Sequence, residues 1–377
     1  MGDWVRKPLE ELAVLKKDSW KVGDEEAPYI ALEHIEEDKL RLSRYDHSSI
    51  VTSNKYRFDE NNFLFGRLRP YFRKVVKPKF SGICSTDIWV VGAKRSTDLS
   101  YLYYLFANKE FIDLSFLGSS GTKMPRADWD FLKVTEWLVP EEIEEQRAIA
   151  GVLSSLDDKI DLLHRQNATL ETLAQTLFRQ WFIEQAQDDW EEGVLGDLVE
   201  FNYGKGLKKS IRTGTGYPVV GSSGVVDYHS EYLVEGPGIV TGRKGTLGEV
   251  IYLSENFYPI DTTYYITSNN DSPNMYYEFF LLKSIGFENM NTDSAVPGLN
   301  RNNALSVEII IPPLNLITQY NNYVHPLFQK RILNSHHIHT LEILRDILLP
   351  NLMSGEVRVQ IGSFLENEPI SDLQSPK

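Results

Sequence analysis

Two long segments of the chain place hydrophobic residues at helical spacing. In the first segment the apolar side chains alternate in steps of four and three residues, which is the spacing of a coiled-coil seam. These positions are Ile149, Leu153, Leu156, Ile160, Leu163, Leu170, Ala174, Leu177 and Trp181, with Asn167 as the polar member of the series. Pro140 and the glutamates that follow it are typical of a helix N-terminus. The pattern predicts a helix of about 40 residues.

The second segment follows a similar but less regular pattern. Its apolar positions are Ile317, Tyr320, Val324, Leu327, Ile338, Leu341 and Leu348, interrupted by Arg331, Asn334 and Arg345. Because one seam cannot bury itself, we expect the two helices to pack on each other, and a repeated chain allows them to run antiparallel. A core asparagine lowers stability but can fix the register of a coiled coil, so we predict that role for Asn167. The alternative is a partly exposed, hydrated side chain.

The chain repeats itself with a period near 172 residues. The matching pieces are Pro140 with Pro313, Gln146 with Gln319, Leu170–Leu173 with Leu341–Leu344, and Gly66-Arg67 with Gly242-Arg243. We therefore interpret the chain as two copies of one plan, each a mixed domain followed by a long helix.

Outside the long helices, short β-branched and aromatic runs bounded by Gly, Pro, Ser and Asn predict strands. The runs are Asp87–Val91, Tyr217–Val220, Gly238–Val240, Val250–Leu253, Tyr264–Ile266 and Ile309–Ile311, with one helix per copy around Leu99–Ile112 and Pro273–Ile285. The expected fold class is α+β, with two pseudo-repeated mixed α/β domains separated by two long helices that form an antiparallel coiled coil. The predicted segments are a mixed domain over 1–140, a helix over 141–187, a mixed domain over 188–313, a helix over 314–356 and a disordered tail over 357–377.

Composition places the chain among ordinary globular proteins. Its 377 residues are 42% hydrophobic and 24% charged, which excludes wholesale disorder and a fibrous rod. We expect a cytoplasmic protein with no membrane partner, because the sequence has no long apolar run and no apolar segment at its start. Cys84 is its one cysteine, which agrees with a reducing compartment.

The formal net charge of −14 argues by itself against nucleic-acid binding. The charge is unevenly distributed, however. Lys and Arg minus Asp and Glu give 22 − 21 over residues 1–140 but 4 − 11 over residues 141–190. Between Asn61 and Thr86 there are basic residues and no acidic one, so this stretch predicts a local positive patch.

Basic, aromatic and small polar residues near that patch and in the second copy suit contact with DNA. Arginine can bridge phosphates or bind guanine through two parallel hydrogen bonds, and glycines let a loop approach the DNA backbone closely. The candidates are Arg67, Arg69, Tyr71, Arg73, Lys74, Lys123 and Arg126 in the first copy, and Lys205, Lys208, Lys209, Ser222, Ser223, Arg243, Lys244 and Arg301 in the second. The alternatives are a sheet edge with solvated charges and plain hairpin turns.

The sequence lacks the motifs of several enzyme classes. It has no Walker-type phosphate loop, no dinucleotide-binding fingerprint and no Asn/Asp-Pro-Pro-aromatic motif of amino-methyltransferases. His336, His337 and His339 fit a polar stretch of the second helix better than a metal site, and Cys84 fits a buried side chain better than a nucleophile. We therefore expect no catalytic residue, no metal and no cofactor in this chain.

The sequence resembles the specificity subunit of type I restriction-modification systems over nearly its whole length. The motifs that carry the resemblance are residues 140–150, 156–160 and 348–359, together with 65–71 and 236–248. The resemblance implies that the mixed domains are target-recognition domains, each reading one half of a bipartite double-stranded DNA site. It implies that the helices set the spacing and dock two modification (methyltransferase) subunits, through which restriction subunits join. S-adenosylmethionine, ATP and Mg²⁺ would then belong to those partners.

Two other classes of function compete with this interpretation. A coiled-coil scaffold that organises other proteins without binding DNA is the stronger alternative, and the net charge of −14 is its best support. An enzyme with a cleft between the repeated domains has less in its favour, because no catalytic motif was found.

Overall fold

The computed structural model describes residues 3–121, 123–270, 273–291 and 297–359. Contacts within the chain divide it into two units: Met1–Leu162 with His337–Lys377 form unit 1, and Leu163–His336 form unit 2. Each unit therefore contains the mixed domain of one copy and a part of each long helix. Residues 360–377 of the expected tail lie outside the described residues.

The described part of unit 1 contains three sheets, of strand orders β2-β10-β7-β8, β3-β6-β9-β4-β5 and β1-β11. The strands are β1 (Trp4–Pro8), β2 (Ala13–Lys16), β3 (Ser19–Trp20), β4 (Pro28–Ile30), β5 (Asp46–His47), β6 (Lys55–Phe58), β7 (Phe63–Gly66), β8 (Val75–Val76), β9 (Gly82–Cys84), β10 (Ile88–Ala93) and β11 (Glu136–Pro140). The helices of the mixed domain are α1 (Leu9–Leu12), α2 (Leu99–Ala107), α3 (Lys109–Leu117) and α4 (Trp129–Leu132). The helix predicted around Leu99–Ile112 is thus two helices that meet at Asn108.

Unit 2 contains sheets of strand orders β13-β19-β16-β17, β15-β14-β18 and β12-β20. The strands are β12 (Glu191–Val194), β13 (Val199–Tyr203), β14 (Tyr217–Gly221), β15 (Gly224–His229), β16 (Gly238–Gly242), β17 (Val250–Leu253), β18 (Tyr258–Pro259), β19 (Thr263–Ser268) and β20 (Glu308–Ile311). The helices of this mixed domain are α6 (Leu195–Leu198), α7 (Tyr276–Ile285) and α8 (Arg301–Leu305).

The two four-stranded sheets have the same connectivity, which confirms the predicted repeat. Strands β2, β10, β7 and β8 of unit 1 correspond in order to β13, β19, β16 and β17 of unit 2. A further match precedes these strands: Trp4 stands before Leu9 and Leu12 as Trp190 stands before Leu195 and Leu198. These pieces lie 186 residues apart (190 − 4), because the first mixed domain is longer than the second.

The two long helices form as predicted. Helix α5 spans Ile143–Arg179 and continues into a π-helical turn over Gln180–Glu184, and helix α9 spans Leu314–Met353. Within unit 1, Arg345 of α9 bonds Asp157 of α5. Arg358, just beyond α9, bonds Glu145 near the start of α5. Residue numbers thus increase along one helix as the numbers of their partners decrease, so the helices run antiparallel in this unit.

The same holds within unit 2, where Asn334 bonds Asn167 and Tyr320 bonds the carbonyl oxygen of Ala174. The ends of the long helices also complete the core of each mixed domain. In unit 1, Leu153 and Leu349 pack with Phe111, and in unit 2, Phe178 packs with Tyr277 and other aromatic residues. Each mixed domain is therefore fixed to its part of the helix pair by a shared hydrophobic core. No helix in the described part of the chain is long and apolar enough to span a bilayer.

Candidate nucleic-acid interface

Equivalent strand ends carry an arginine in the two copies. Strand β7 is followed directly by Arg67, and strand β16 is followed directly by Arg243. In each copy the arginine backbone N–H donates to the carbonyl oxygen of the residue just before the neighbouring strand, over 2.9 Å to Asp87 and 2.8 Å to Thr262. The arginines that the repeat aligned therefore occupy equivalent places in the fold.

Arg67 is held by an aromatic ring rather than by a carboxylate. Its guanidinium carbon lies 5.7 Å from the centre of the Trp89 ring, and its buried Nε atom has no hydrogen-bond partner among the described residues. Trp89 is itself fixed, because it stacks on Phe65 at 5.6 Å and meets the edge of Trp129 at 5.8 Å. A stacked guanidinium keeps its hydrogen-bond donors for a ligand, so Arg67 is suited to bind an external acceptor.

Arg69 has a left-handed backbone conformation, with φ 52°. Such a conformation in a residue other than glycine costs on the order of 1–3 kcal/mol and occurs often at functional sites. The Arg69 N–H donates to the carbonyl oxygen of Pro125 over 2.7 Å, and its buried Nε has no partner in the described part of the chain. Tyr71 is exposed beside Phe116, with ring centres 5.5 Å apart. Arg67, Arg69 and Tyr71 thus lie on one short segment, and neither arginine has a carboxylate partner among the described residues.

Three other predicted DNA ligands of the first copy are engaged inside unit 1. The bonds are Arg73 to Asp38 (2.9 Å) and Asp346 (3.1 Å), Lys74 to the carbonyl oxygen of Leu32 (2.8 Å), and Arg126 to Asp87 (2.9 Å). The Asp87 carboxylate holds the pKa of Arg126 above its usual range. The predicted patch is therefore divided: Arg67 and Arg69 have no carboxylate partner among the described residues, whereas Arg73 and Lys74 bond within unit 1. Arg126, a candidate outside that patch, is likewise engaged within the unit.

The remaining loop candidates lie at the surface. Lys123, Lys205, Lys208, Lys209 and Ser223 are exposed, and Ser222 is half-buried. Ser222 lies beside the loop that follows β16, since its Cβ is 3.4 Å from the place where a Cβ on Gly242 would be. The turn between β14 and β15 and the loop after β16 therefore form one surface in unit 2.

The loop after β16 requires glycine at specific positions. A side chain at Gly242 would place its Cβ 2.0 Å from the carbonyl oxygen of Thr246, and Gly245 and Gly248 both have φ +88°. These close approaches fix a tight loop, and Lys244 at its tip is exposed. The loop presents this lysine next to Arg243.

Arg243 and Arg301 share one aromatic ring, that of Tyr203. Their guanidinium carbons lie 4.9 Å and 5.9 Å from the ring centre. The Arg243 Nη1 atom donates to the carbonyl oxygen of Asp261 over 3.1 Å, which orients the group further. Tyr203 was not among the candidates from the sequence. Only the register of β13 against β19, which pairs Tyr203 with Tyr264, brings it to the arginines.

These side chains line a recess of about 250 Å³, whose walls include Tyr203, Arg243, Lys244, Tyr264, Asn300 and Arg301. Tyr264 donates its hydroxyl to the carbonyl oxygen of Leu299 over 3.1 Å, which ties the segment before α8 to strand β19. Burial raises the pKa of Tyr264, so its hydroxyl stays protonated at neutral pH. The recess therefore combines three cations with neutral polar groups.

The structure bears on two possible sites of chemistry, a metal-binding cluster and the Cys84 thiol. No group of three or more His, Cys, Asp or Glu side chains suited to hold a metal exists among the residues that the structure describes. Cys84 is buried, and burial raises the pKa of its thiol, so it stays protonated and is a poor nucleophile.

Asn167 has a partner that the sequence pattern did not identify. Asn334 Nδ2 donates to Asn167 Oδ1 over 2.9 Å, and Asn167 Nδ2 donates to the carbonyl oxygen of Arg331 over 3.4 Å. Asn334 is fully buried, although its position interrupts the apolar series of α9. A paired polar group in a helical seam disfavours shifted registers. The role of Asn167 in fixing the register stays a prediction, and we extend it to its partner Asn334.

The chain thus contains two repeated domains, each with an arginine at an equivalent strand end. The model of the type I restriction modification DNA specificity domain matches residues 1–172 and 187–342, which is most of the chain. The chain therefore belongs to this family of DNA specificity proteins, with one match for each copy of the repeat.

Similar proteins are specificity subunits of type I restriction enzymes. The MjaIX specificity subunit of Methanocaldococcus jannaschii is 29% identical over 303 residues, which cover 69% of this chain and 69% of that protein. The HindI specificity subunit of Haemophilus influenzae is 23% identical over an alignment of 381 positions, which covers 73% of this chain and 81% of that protein. The crystal structure of a type I restriction-modification S subunit from M. genitalium has the same fold, with a TM-score of 0.55 and 19% identity over 93% of this chain and 96% of that chain.

Proposed function

We propose that this chain is the DNA-recognition subunit of a type I restriction-modification complex and that each target-recognition domain reads one half of a bipartite site. The observation that carries the proposal is the equivalent placement of Arg67 and Arg243. Each guanidinium is held against an aromatic ring and has no carboxylate partner among the described residues. Such a group can bind guanine or phosphate without first breaking an internal ion pair.

The surroundings of these two arginines differ, which supports two different half-sites. Arg67 lies beside Trp89, which contacts Trp129, whereas Arg243 shares Tyr203 with Arg301. Side chains at base edges determine which sequence is read, so different residues around equivalent arginines favour different bases. The shared strand arrangement fixes where each arginine lies, and the residues around it, which differ between the two copies, determine the specificity.

We further propose that the helix pair docks two modification subunits. The repeat equates Leu162 with Leu333 and Leu173 with Leu344, and all four side chains are between 40% and 47% exposed. Leu162 and Leu344 belong to unit 1, and Leu173 and Leu333 belong to unit 2. Each unit thus presents one leucine from each helix, which supports two docking surfaces of the same kind. The acidic balance of residues 141–190 also suits a protein partner better than DNA.

In this proposal the chemistry belongs to the partners. The chain is non-catalytic, and its residues bind and position DNA. The modification subunits would bind S-adenosylmethionine. Restriction subunits would join through them and use ATP and Mg²⁺. The long helices, which hold the two target-recognition domains, would set the unread spacing between the half-sites.

The test is DNA binding by the chain assembled with its modification subunits. Arg67→Ala should weaken binding by about 1–3 kcal/mol and relax the preference at one base position of one half-site, and Arg243→Ala should do so at the other. Lys21→Ala is the control, because this exposed lysine lies near Asp24 in an acidic part of unit 1. Unchanged binding in both arginine variants would remove these arginines from the interface and contradict their assignment. A wild-type complex that binds no DNA would contradict the proposal and favour a scaffold that does not bind DNA.

A further inference from the structure

We infer that the recess in unit 2 is a binding site for one phosphate group of the DNA backbone. The inference rests on the proposed function and adds to it. It assigns Arg301, Lys244 and Tyr203 to anchoring the DNA, whatever its sequence, and not to reading a base. The recess lies where strands β13, β16 and β19 end or begin, together with the segment before α8.

The two arginines of the recess are preorganised. Both guanidinium groups face the ring of Tyr203, at 4.9 Å for Arg243 and 5.9 Å for Arg301. Tyr203 is in turn packed on Tyr264, with ring centres 5.2 Å apart. Two cations that share one small aromatic wall repel each other, and this arrangement is stable where an anion lies between or beside them. The geometry therefore provides a place for negative charge.

The recess lacks a negative charge of its own. Lys244 adds a third cation, and no carboxylate lines the recess among the residues that the structure describes. The Nε atom of Arg301 is buried and has no hydrogen-bond partner within those residues. Arg301 also has no carboxylate partner within those residues, so it can bind an anion without first breaking an internal ion pair.

The charge of the recess distinguishes a phosphate from a base edge. A guanine is read by one arginine through two hydrogen bonds, and its acceptors carry only partial charge. A DNA phosphate carries a full negative charge and accepts several charge-assisted hydrogen bonds, which the planar fork of arginine matches. A recess that has three cations and no carboxylate among its described residues therefore fits a phosphate better. In this assignment Arg301 and Lys244 bind the phosphate, and Arg243 adds positive charge while it reads a base of the same half-site.

The equivalent place in the first copy is not built in this way. With Arg67 aligned to Arg243, position 68 is Leu where position 244 is Lys, and Trp129 stands 172 residues before Arg301. Arg126, which lies near Arg67 in that copy, is paired with Asp87. The anchoring phosphate site is therefore specific to the half-site that the second target-recognition domain contacts.

The experiment measures DNA affinity of the assembled complex over a range of salt concentrations. Arg301→Gln should weaken binding about tenfold, equally on the cognate site and on DNA with a scrambled second half-site. The slope of log affinity against log salt should become shallower by about 0.9, the value for one phosphate contact. Arg301→Lys should keep most of that slope, and Lys21→Gln, which removes the same charge elsewhere, should leave both quantities unchanged.

A second measurement changes the DNA and compares the wild-type complex with Arg301→Gln. Single neutral methylphosphonate substitutions along the second half-site should identify one phosphate whose neutralisation weakens the wild-type complex about tenfold, with no further loss in Arg301→Gln. The inference is overturned if Arg301→Gln relaxes the preference at one base pair with an unchanged salt slope, or if neither affinity nor slope changes. Failure of the proposed function would look different, because the wild-type complex would then bind cognate and scrambled DNA equally.

Discussion

Arg345 offers a sharp test of how the long helices are held together in unit 1. Its side chain is only 1% exposed, and Nη1 donates to Asp157 Oδ1 over 2.9 Å. The other oxygen of Asp157 accepts a hydrogen bond from the Tyr104 hydroxyl over 2.7 Å. Arg345→Met keeps a long side chain but leaves the Asp157 carboxylate, whose side chain is 24% exposed, without its cation, and it also removes the contact of Arg345 with Asp346. Removing one partner of a fully buried ion pair typically costs about 3–5 kcal/mol. Because Asp157 keeps some contact with solvent, we expect unit 1 to lose about 3 kcal/mol, the lower end of that range.

The loss should depend on pH. Burial raises the pKa of Asp157 in the wild-type chain, and Arg345 opposes that rise. Without Arg345 the folded-state pKa of Asp157 rises further above its unfolded value. The folded variant then binds a proton more readily than the unfolded chain. Its stability therefore falls as the pH rises from the unfolded pKa to the folded pKa. The destabilisation should be smaller at pH 5 than at pH 8.

Hydrogen exchange of the full chain measures this effect locally. Peptides from 143–162 and 337–353 should exchange faster in Arg345→Met, whereas peptides from the mixed domain of unit 2 serve as an internal control. The double variant Arg345→Met with Asp157→Asn removes the unpaired charge and should recover about 2 kcal/mol. A single variant that loses less than about 1 kcal/mol, or a double variant that is no more stable than the single one, would refute this reasoning.

Three further predictions concern docking, spacing and a buried carboxyl group. Leu173→Asp should reduce the complex from two bound modification subunits to one, measured as the mass of the complex at saturation. Leu344→Asp should do the same for the other docking surface. Two subunits bound to both variants would contradict the assignment. Insertion of four residues after position 162 and four after position 336 adds about one turn, roughly 6 Å, to both helices. The unread gap, read from the methylated sites, should then lengthen by one or two base pairs. An active complex with the original gap would show that the helices do not set the distance. Burial raises the pKa of Glu278, whose Oε2 has no hydrogen-bond partner in the described part of the chain, so wild-type stability should fall as the pH rises above the unfolded pKa of a glutamate. Glu278→Gln should therefore be more stable than wild type in urea at pH 8 and about equal at pH 4, and equal curves at both values would argue against a buried ionisable group.

The periodic parts of the fold could be predicted from the sequence. The four-three spacing predicted both long helices, and the run Val250–Leu253 is a strand with those same bounds. Such patterns are local, because each depends on which face of a single element is buried. The match between Trp4 and Trp190 was missed, because a single repeat period cannot align domains of unequal length.

The polar contacts could not be predicted in the same way. Arg345 and Asn334 interrupt the apolar pattern of α9, but each has a partner on α5, Asp157 and Asn167 respectively. Arg73 belongs to a basic stretch, yet one of its carboxylate partners is 273 residues away along the chain. Which charge is free for a ligand depends on such long-range contacts. The basic stretch therefore indicated where DNA could bind, whereas the structure distinguishes Arg67 and Arg69 from their paired neighbours.

The central claim is that this chain directs a partner methyltransferase to a DNA site read in two halves. The most direct test is a map of methylated positions in the genome of a methylation-free host that expresses this chain with its modification subunits. We predict one motif of two short, different half-sites separated by an unread gap of constant length. With Arg243→Ala the motif should relax in one half only. No methylated motif in the presence of an assembled complex, or a single contiguous motif that Arg67→Ala and Arg243→Ala alter at the same positions, would contradict the account.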